Sequence, residues 1–163
     1  MGHILKRGSN LMNKKFRVSF NSPQSGFMSV GLRERDQEFV TAVAHEPYDS
    51  LRDLIVALTA ALAGDSERTV KWNCEPDELD LRLKAEGDAV SLGVVHYLSH
   101  RRSQRTSQQV FATTGPKLEV CGAFWKALRE LHRDIEVDEF SSNWRREFPE
   151  AEMQGFTKAF RES

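Results

Sequence analysis

The chain has 163 residues, with 23 Lys and Arg against 24 Asp and Glu, so its formal charge at pH 7 is −1. This length is near the usual size of one domain and suffices to bury a full core without disulfides or metals. The balanced charge gives no overall field that would draw the protein onto nucleic acid or acidic lipid. Cys74 and Cys121 lie far apart and outside any C-x-x-C unit, which favours free thiols and a cytoplasmic location.

The first 14 residues are basic and carry no patterned segment. Their apolar pair Ile4-Leu5 is much too short for a signal peptide, and no run in the chain approaches the length that spans a membrane. We interpret residues 1–14 as a flexible arm, and the second methionine, Met12, is consistent with a tag remnant or an upstream start over residues 1–11. The folded domain is then expected over residues 15–163.

Three strands are predicted at the start of this domain. Apolar side chains alternate with polar ones from Phe16 to Phe20, and the alternation resumes from Met28 to Leu32 after a turn at residues 21–26. A third strand follows over residues 39–44, and Pro47 ends it.

A helix follows, because the hydrophobic period changes to that of one helical face. Asp49 or Ser50 is placed to cap its first turn, and Gly64 is placed to end it in the left-handed region. The apolar stripe consists of Leu51, Leu54, Ile55, Leu58, Ala61 and Leu62.

Alternation then returns and predicts strands around residues 70–74, 79–83, 90–96 and 110–112. Pro116 suits the first turn of a second helix whose apolar stripe runs from Leu118 to Ile135. The tail, residues 136–163, mixes charges with aromatic rings, which indicates short helices that dock by those rings.

These elements predict a single α+β domain. We expect one antiparallel sheet of six or seven strands in the order βββ-α-ββββ-α, with helices packed on one face and a helical C-terminal tail.

Two groups of residues are candidates for binding a protein partner. Glu75, Asp77 and Glu78 form an acidic segment beside Trp72, although alternation also fits a solvated outer sheet face. Trp144, with Arg145 and Arg146, is the tryptophan in the most charged surroundings, although docking of its ring into the core is the commoner outcome.

A basic stretch at the predicted tip of a hairpin contains Arg101, Arg102 and Arg105. It suggests contact with an anion or a nucleic acid, but no aromatic residues interleave to stack on bases, and a solubilising loop has the same composition.

Metal and cofactor sites are not indicated. His96 and His100 are spaced i, i+4, but on a strand this spacing separates them by about 13 Å. Neither cysteine has a neighbouring base, and no glycine-rich phosphate loop is present. The sequence therefore predicts no metal, no cofactor and no catalytic residue.

Three segments carry a resemblance: Ser25-Gly26-Phe27, then Pro47 to Leu54, then Val70 to Pro76. Their order resembles that of small bacterial α+β proteins without an assigned function, some of which are similar to immunity proteins that neutralise a toxin by binding it. The resemblance covers residues 16–132 and implies protein binding, with no catalytic residue to carry over.

Three functions follow as hypotheses. The first is a non-catalytic protein-binding protein, either immunity-like or an assembly partner, for which a homodimer is also compatible. The second is a small-molecule-binding or enzymatic domain with a pocket between sheet and helix lined by Trp72, His96, Tyr97 and Trp125. The third, disfavoured by the overall charge, is nucleic-acid contact through the basic hairpin at residues 100–105.

Overall fold

The computed structural model describes residues 15–102 and 107–163, so the basic arm at residues 1–14 and Arg105 lie outside the described residues. The described part contains seven strands and four helices. The strands are β1 (Arg17–Phe20), β2 (Phe27–Glu34), β3 (Gln37–Ala44), β4 (Ser66–Asn73), β5 (Glu78–Glu86), β6 (Ala89–Tyr97) and β7 (Ser107–Pro116). The helices are α1 (Ser50–Ala63), α2 (Lys117–Arg133), α3 (Phe140–Trp144) and α4 (Glu150–Arg161).

The α+β class and the antiparallel pairing are confirmed, but the prediction of one continuous sheet is wrong. The strands form a three-stranded sheet, β1-β2-β3, and a four-stranded sheet, β4-β5-β6-β7. Helix α1 separates β3 from β4 along the chain, so these two strands form no hairpin. Where β3 approaches β7, the Gln37 side chain makes the two hydrogen bonds that a neighbouring strand would otherwise make to Ala112. Its Nε2 donates to the Ala112 carbonyl (2.8 Å), and its Oε1 accepts from the Ala112 N–H (3.1 Å).

One hydrophobic cluster joins both sheets and the helices. Helix α1 contacts β4 and β5, while α2 contacts β1, β6 and β7. The predicted stripe of α1 is buried, with Leu54, Ile55 and Leu58 almost fully enclosed. This cluster is the apolar burial that favours folding of the chain.

The two ends of α1 differ from the prediction in detail. The Ser50 hydroxyl makes no capping bond and instead donates to the Lys71 carbonyl of β4 (2.7 Å), which ties the helix to the sheet. Gly64 does end the helix, but with extended backbone rather than a left-handed conformation.

The tail forms α3 and α4, and it contributes aromatic rings to the core. Phe140, Trp144, Phe148 and Phe156 are all buried. Helix α4 packs on α1 and α2. Trp144 is only 1% exposed and belongs to the hydrophobic core, so of the two alternatives for this ring the structure has core docking and not an exposed partner anchor.

Candidate functional site

Several residues singled out from the sequence meet at one end of the four-stranded sheet. There Arg102 donates from Nε to Glu78 Oε1 (2.6 Å) and from Nη1 to Asp80 Oδ1. Tyr48 donates its hydroxyl to Glu78 Oε1 (3.0 Å), and Tyr97 donates to Asp80 Oδ2 (3.2 Å). We call these five residues the Arg102 network.

The Arg102 network is largely removed from solvent. Glu78 and Asp80 are 4% and 6% exposed, and the Arg102 side chain is 19% exposed. Burial acts to lower the pKa of Arg102, but hydrogen bonds to Asp80 and Glu78 outweigh it and raise this pKa above its ordinary value. Burial, followed by the bond to Glu78, raises the pKa of Tyr48.

The network contains three of the predicted site residues, Glu78, Arg102 and Tyr97. Glu78 was expected to face a partner, and Arg102 was expected at the tip of a basic finger. Arg102 does lie in the loop between β6 and β7, but the Glu78 and Arg102 side chains are turned toward each other and neutralise each other. Arg101 remains exposed on the same loop.

The other predicted partner residues are dispersed. Asp77 is hydrogen-bonded to His96 (2.8 Å), and Glu75 is exposed at the turn before β5. Arg145 is exposed, whereas Arg146 donates to the backbone carbonyl of His45. These residues therefore do not form one continuous patch with the buried Trp144.

The four predicted pocket residues do not line one cavity. Trp72 and His96 are the strand partners of Leu79 on its two sides, so both lie on the inner face of the sheet with it. Tyr97 lies on the opposite face. Trp125 lies on α2, outside the sheet. The gap beside Trp72 and Trp144, between the three-stranded sheet and α1, measures about 10 Å³, far below the several hundred Å³ of a typical ligand pocket.

A larger concave site lies between α2 and α4, and we call it the Trp125 groove. The two helices run antiparallel, because Trp125 meets Thr157 near the C-terminus of α4 while His132 meets Glu150 at its N-terminus. The groove has a volume of about 550 Å³. It is lined by Trp125, Arg129, His132, Glu150, Met153, Gln154, Thr157, Lys158, Arg161 and Glu162.

Helical periodicity explains how these side chains converge. On α2 the lining positions are 125, 129 and 132, and on α4 they recur at three- and four-residue intervals from 150 to 161, which keeps each set on one helical face. Gly122 brings the helices together at one end, since a Cβ there would lie 3.2 Å from the Phe160 ring.

The Trp125 ring is half-buried and held on several sides. It stacks on Phe160 with 5.0 Å between ring centroids, and its Nε1 donates to Thr157 Oγ1 (3.1 Å). The guanidinium carbons of Arg129 and Arg161 lie 5.1 and 5.9 Å from the indole centroid. A fixed aromatic surface between two cations is suited to binding a group that is both apolar and negatively charged.

Three cations that line the groove have no carboxylate partner among the residues that the structure describes. Within the described ranges, Arg129, Lys158 and Arg161 form no ion pair. Glu150, at one end of the groove, is instead bonded to His132 (2.8 Å), and Glu162 lies at the other end. The centre of the groove is therefore positive although the whole chain carries a charge of −1.

The sequence only partly indicated this site. Trp125 was assigned to the apolar face of a helix, and Arg129 one turn later is a readable neighbour. The arrival of Lys158 and Arg161 across the groove depends on how α4 docks, which no local pattern specifies.

Neither cysteine has the environment of a nucleophile. Burial raises the pKa of Cys74, and burial raises the pKa of Cys121 to about 11. Among the residues that the structure describes, no group of three or more His, Cys, Asp or Glu side chains is arranged to hold a metal ion. In the same part of the chain, no helix has the length and apolar character needed to cross a membrane.

Comparison with known proteins gives no relative from which a function could be transferred. No family model matches the chain, and no curated protein or solved structure matches it either. The chemistry of the Trp125 groove is therefore the basis for a functional proposal.

Proposed function

We propose that this protein is a non-catalytic protein-binding protein whose partner presents an acidic, partly apolar segment to the Trp125 groove. The observation that supports this proposal is the set of three unpaired cations around a half-buried tryptophan. Aromatic and arginine side chains in a concave setting are the residue types that contribute most to protein interfaces.

The dimensions of the groove favour a polypeptide segment. Its α4 wall runs from Glu150 to Arg161, a length of about 16 Å at the helical rise. The buried Met153 side chain supplies an apolar floor, while Arg129 and Lys158 supply charge above it. A helix or an extended segment with alternating apolar and acidic side chains matches both properties.

The biological form of this activity stays open between two roles. An immunity-like protein that neutralises a toxin and an assembly partner would each use surface complementarity of this kind. The resemblance to immunity proteins remains a prediction on which neither the fold nor the comparisons bear.

A small anionic molecule is the second candidate occupant, because a volume of about 550 Å³ is within the range of small-molecule sites. It would use the same cations, so the two candidates differ in whether apolar contacts along the groove add to the affinity.

A fluorescence titration tests the proposal. The probe is a 15-residue helical peptide with Glu and Leu on one face, and the control probe has every Glu replaced by Gln. We expect the acidic peptide to shift the Trp125 emission and the Gln peptide to bind at least about tenfold more weakly, which corresponds to about 1.4 kcal/mol. The double variant Arg129→Glu/Arg161→Glu should lose binding, because it reverses the field of the groove.

The matched control is Lys126→Glu, which changes an exposed cation on the same helix that does not line the groove. It should leave the affinity within about twofold, since a distant rim charge contributes little. Equal binding of both peptides would refute the proposal. Binding of citrate as tight as that of the acidic peptide would replace it with the small-anion alternative.

A further inference from the structure

A protruding turn directly follows α2, and we call residues 134–139 the acidic knob. Val137 at its tip is 86% exposed, the highest value among the large apolar side chains of the described residues. Glu136 and Glu139 flank it, are exposed, and form no ion pair within the part of the chain that the structure describes. The acidic knob thus combines an exposed apolar side chain with negative charge, which complements the apolar floor and the positive charge of the Trp125 groove.

The acidic knob and the Trp125 groove lie on opposite sides of the contact that His132 makes with Phe148 and Glu150. His132 stacks on Phe148 with 4.6 Å between centroids and bonds to Glu150 (2.8 Å). Glu150 lines the Trp125 groove on one side of this contact and a second, acidic groove beside the knob on the other. The positive and negative surfaces are therefore neighbours that cannot face each other within one molecule.

We propose that the occupant of the Trp125 groove is the acidic knob of a second copy of this chain. This inference rests on the proposed function and names its partner. Val137 of one copy would contact Trp125 and Met153 of the other, while Glu136 and Glu139 would pair with Arg129 and Arg161.

Two copies related by two-fold symmetry would form a closed dimer with this pairing. A two-fold axis beside the His132 and Glu150 contact places the knob of each copy opposite the groove of the other, so both contacts form at once. Each copy supplies the carboxylates that the cations of the other lack, which is the charge complementarity that guides association. The dimer should therefore weaken as salt is added.

Sedimentation velocity with the full chain and two complementary variants tests this inference. Arg129→Glu/Arg161→Glu makes both surfaces acidic, and Glu136→Lys/Glu139→Lys makes both basic. We expect the wild-type chain to dimerise, each variant alone to be monomeric, and an equimolar mixture of the two to form a heterodimer. A merely structural effect of the substitutions would not be rescued by mixing.

The matched control is Lys126→Glu/Glu130→Lys, which changes exposed residues of α2 outside the groove and should leave the dimer intact. A wild-type chain that stays monomeric at high concentration, yet still binds the acidic peptide through Arg129 and Arg161, would overturn the dimer and leave the proposed function standing. Failure of both dimerisation and peptide binding would overturn both. A dimer that the mixed variants do not restore would also reject this pairing.

Discussion

The Arg102 network and the Trp125 groove both place arginines against aromatic rings, but they treat the charge in opposite ways. Arg102 lies over Tyr97 with 5.1 Å to the ring centroid, and Arg129 lies over Trp125 at the same distance. Arg102 is bonded to two buried carboxylates, whereas Arg129 has no carboxylate within ion-pairing distance in the described ranges. The charge of Arg102 is therefore neutralised within the fold, whereas the charge of Arg129 is available to another molecule.

The comparison shows that the density of basic residues along a chain is a poor guide to a binding site. The stretch from His100 to Arg105 is the most basic of the chain, yet Arg102 within it is bonded to two buried carboxylates and serves the fold. What distinguishes a binding surface is cations without partners in a concave setting.

The largest expected effect comes from breaking the Arg102 network. Arg102→Met leaves buried Glu78 without a cation among the described residues and leaves Asp80 with only Arg82, at 3.7 Å. A buried charge that loses its partner is costly. We expect a loss of about 3–5 kcal/mol in the free energy of unfolding, measured by urea titration. Arg101→Met is the control, because Arg101 is exposed on the same loop and should change stability by less than about 0.5 kcal/mol. Equal effects of the two substitutions would show that the network is not structural.

The same kind of substitution in the Trp125 groove should lower the free energy of unfolding far less. Arg129→Met removes a cation over an aromatic ring but strands no carboxylate, so we expect a loss of at most about 1 kcal/mol. Urea titration under identical conditions makes the comparison direct. A loss of stability as large as that of Arg102→Met would contradict the claim that Arg102 stabilises the fold whereas the charge of Arg129 is available for binding.

Two glycines sharpen the description of how the groove closes. Gly155 of α4 has open space around it, so Gly155→Ala should stabilise the protein by about 0.5–1 kcal/mol through helix propensity. Gly122→Ala would bring a Cβ to 3.2 Å from the Phe160 ring, and this crowding should cancel that gain and disturb the stack on Trp125. Thermal unfolding of the two variants checks that Gly155→Ala is the more stable one. An equal gain in stability at both positions would show that Phe160 does not pack as described.

The smallest effect concerns pH. Because the pKa of Tyr48 is raised above its ordinary value of 10.0, the folded state holds this proton more tightly than the unfolded state. The resulting stability is fully present below pH 10 and decreases as the pH rises through the raised pKa. The chain has two tyrosines, so the difference between the ultraviolet titrations of wild type and Tyr48→Phe isolates Tyr48. A midpoint at or below 10 would contradict the burial of the Tyr48 hydroxyl together with its bond to Glu78.

Local patterns predicted most of the elements but not their assembly. The stripe of α1 and the alternation of β5 each follow from one hydrophobic period, and both elements are where that period indicates. The chain is divided into two sheets, and where they meet Gln37 contacts Ala112, 75 residues away, a contact that no periodicity reports. The predicted strand at residues 110–112 is longer in the structure for a related reason, because pairing with β6 extends it to Ser107–Pro116.

The candidate site was less predictable than the fold, because its properties belong to pairs of distant residues. Arg102 is 24 residues from Glu78 and 22 from Asp80, so the sequence could not show that its charge is neutralised. Trp125 and Arg129 are neighbours on one helix, but the second wall of their groove comes from α4, whose docking depends on Phe156 and other buried rings.

Ionic quenching of tryptophan fluorescence tests the central claim most directly. Of the three tryptophans, Trp72 and Trp144 are 2% and 1% exposed, so a quencher in solution reports mainly on Trp125. The measurement is made at a protein concentration at which two copies do not associate. In this monomer a positive groove concentrates anions, and iodide should therefore quench more strongly than caesium at equal ionic strength. In Arg129→Glu/Arg161→Glu the order should reverse, while Lys126→Glu should behave as wild type. Equal quenching of the wild-type protein by both ions would contradict the claim that the cations of this groove are free to attract a partner.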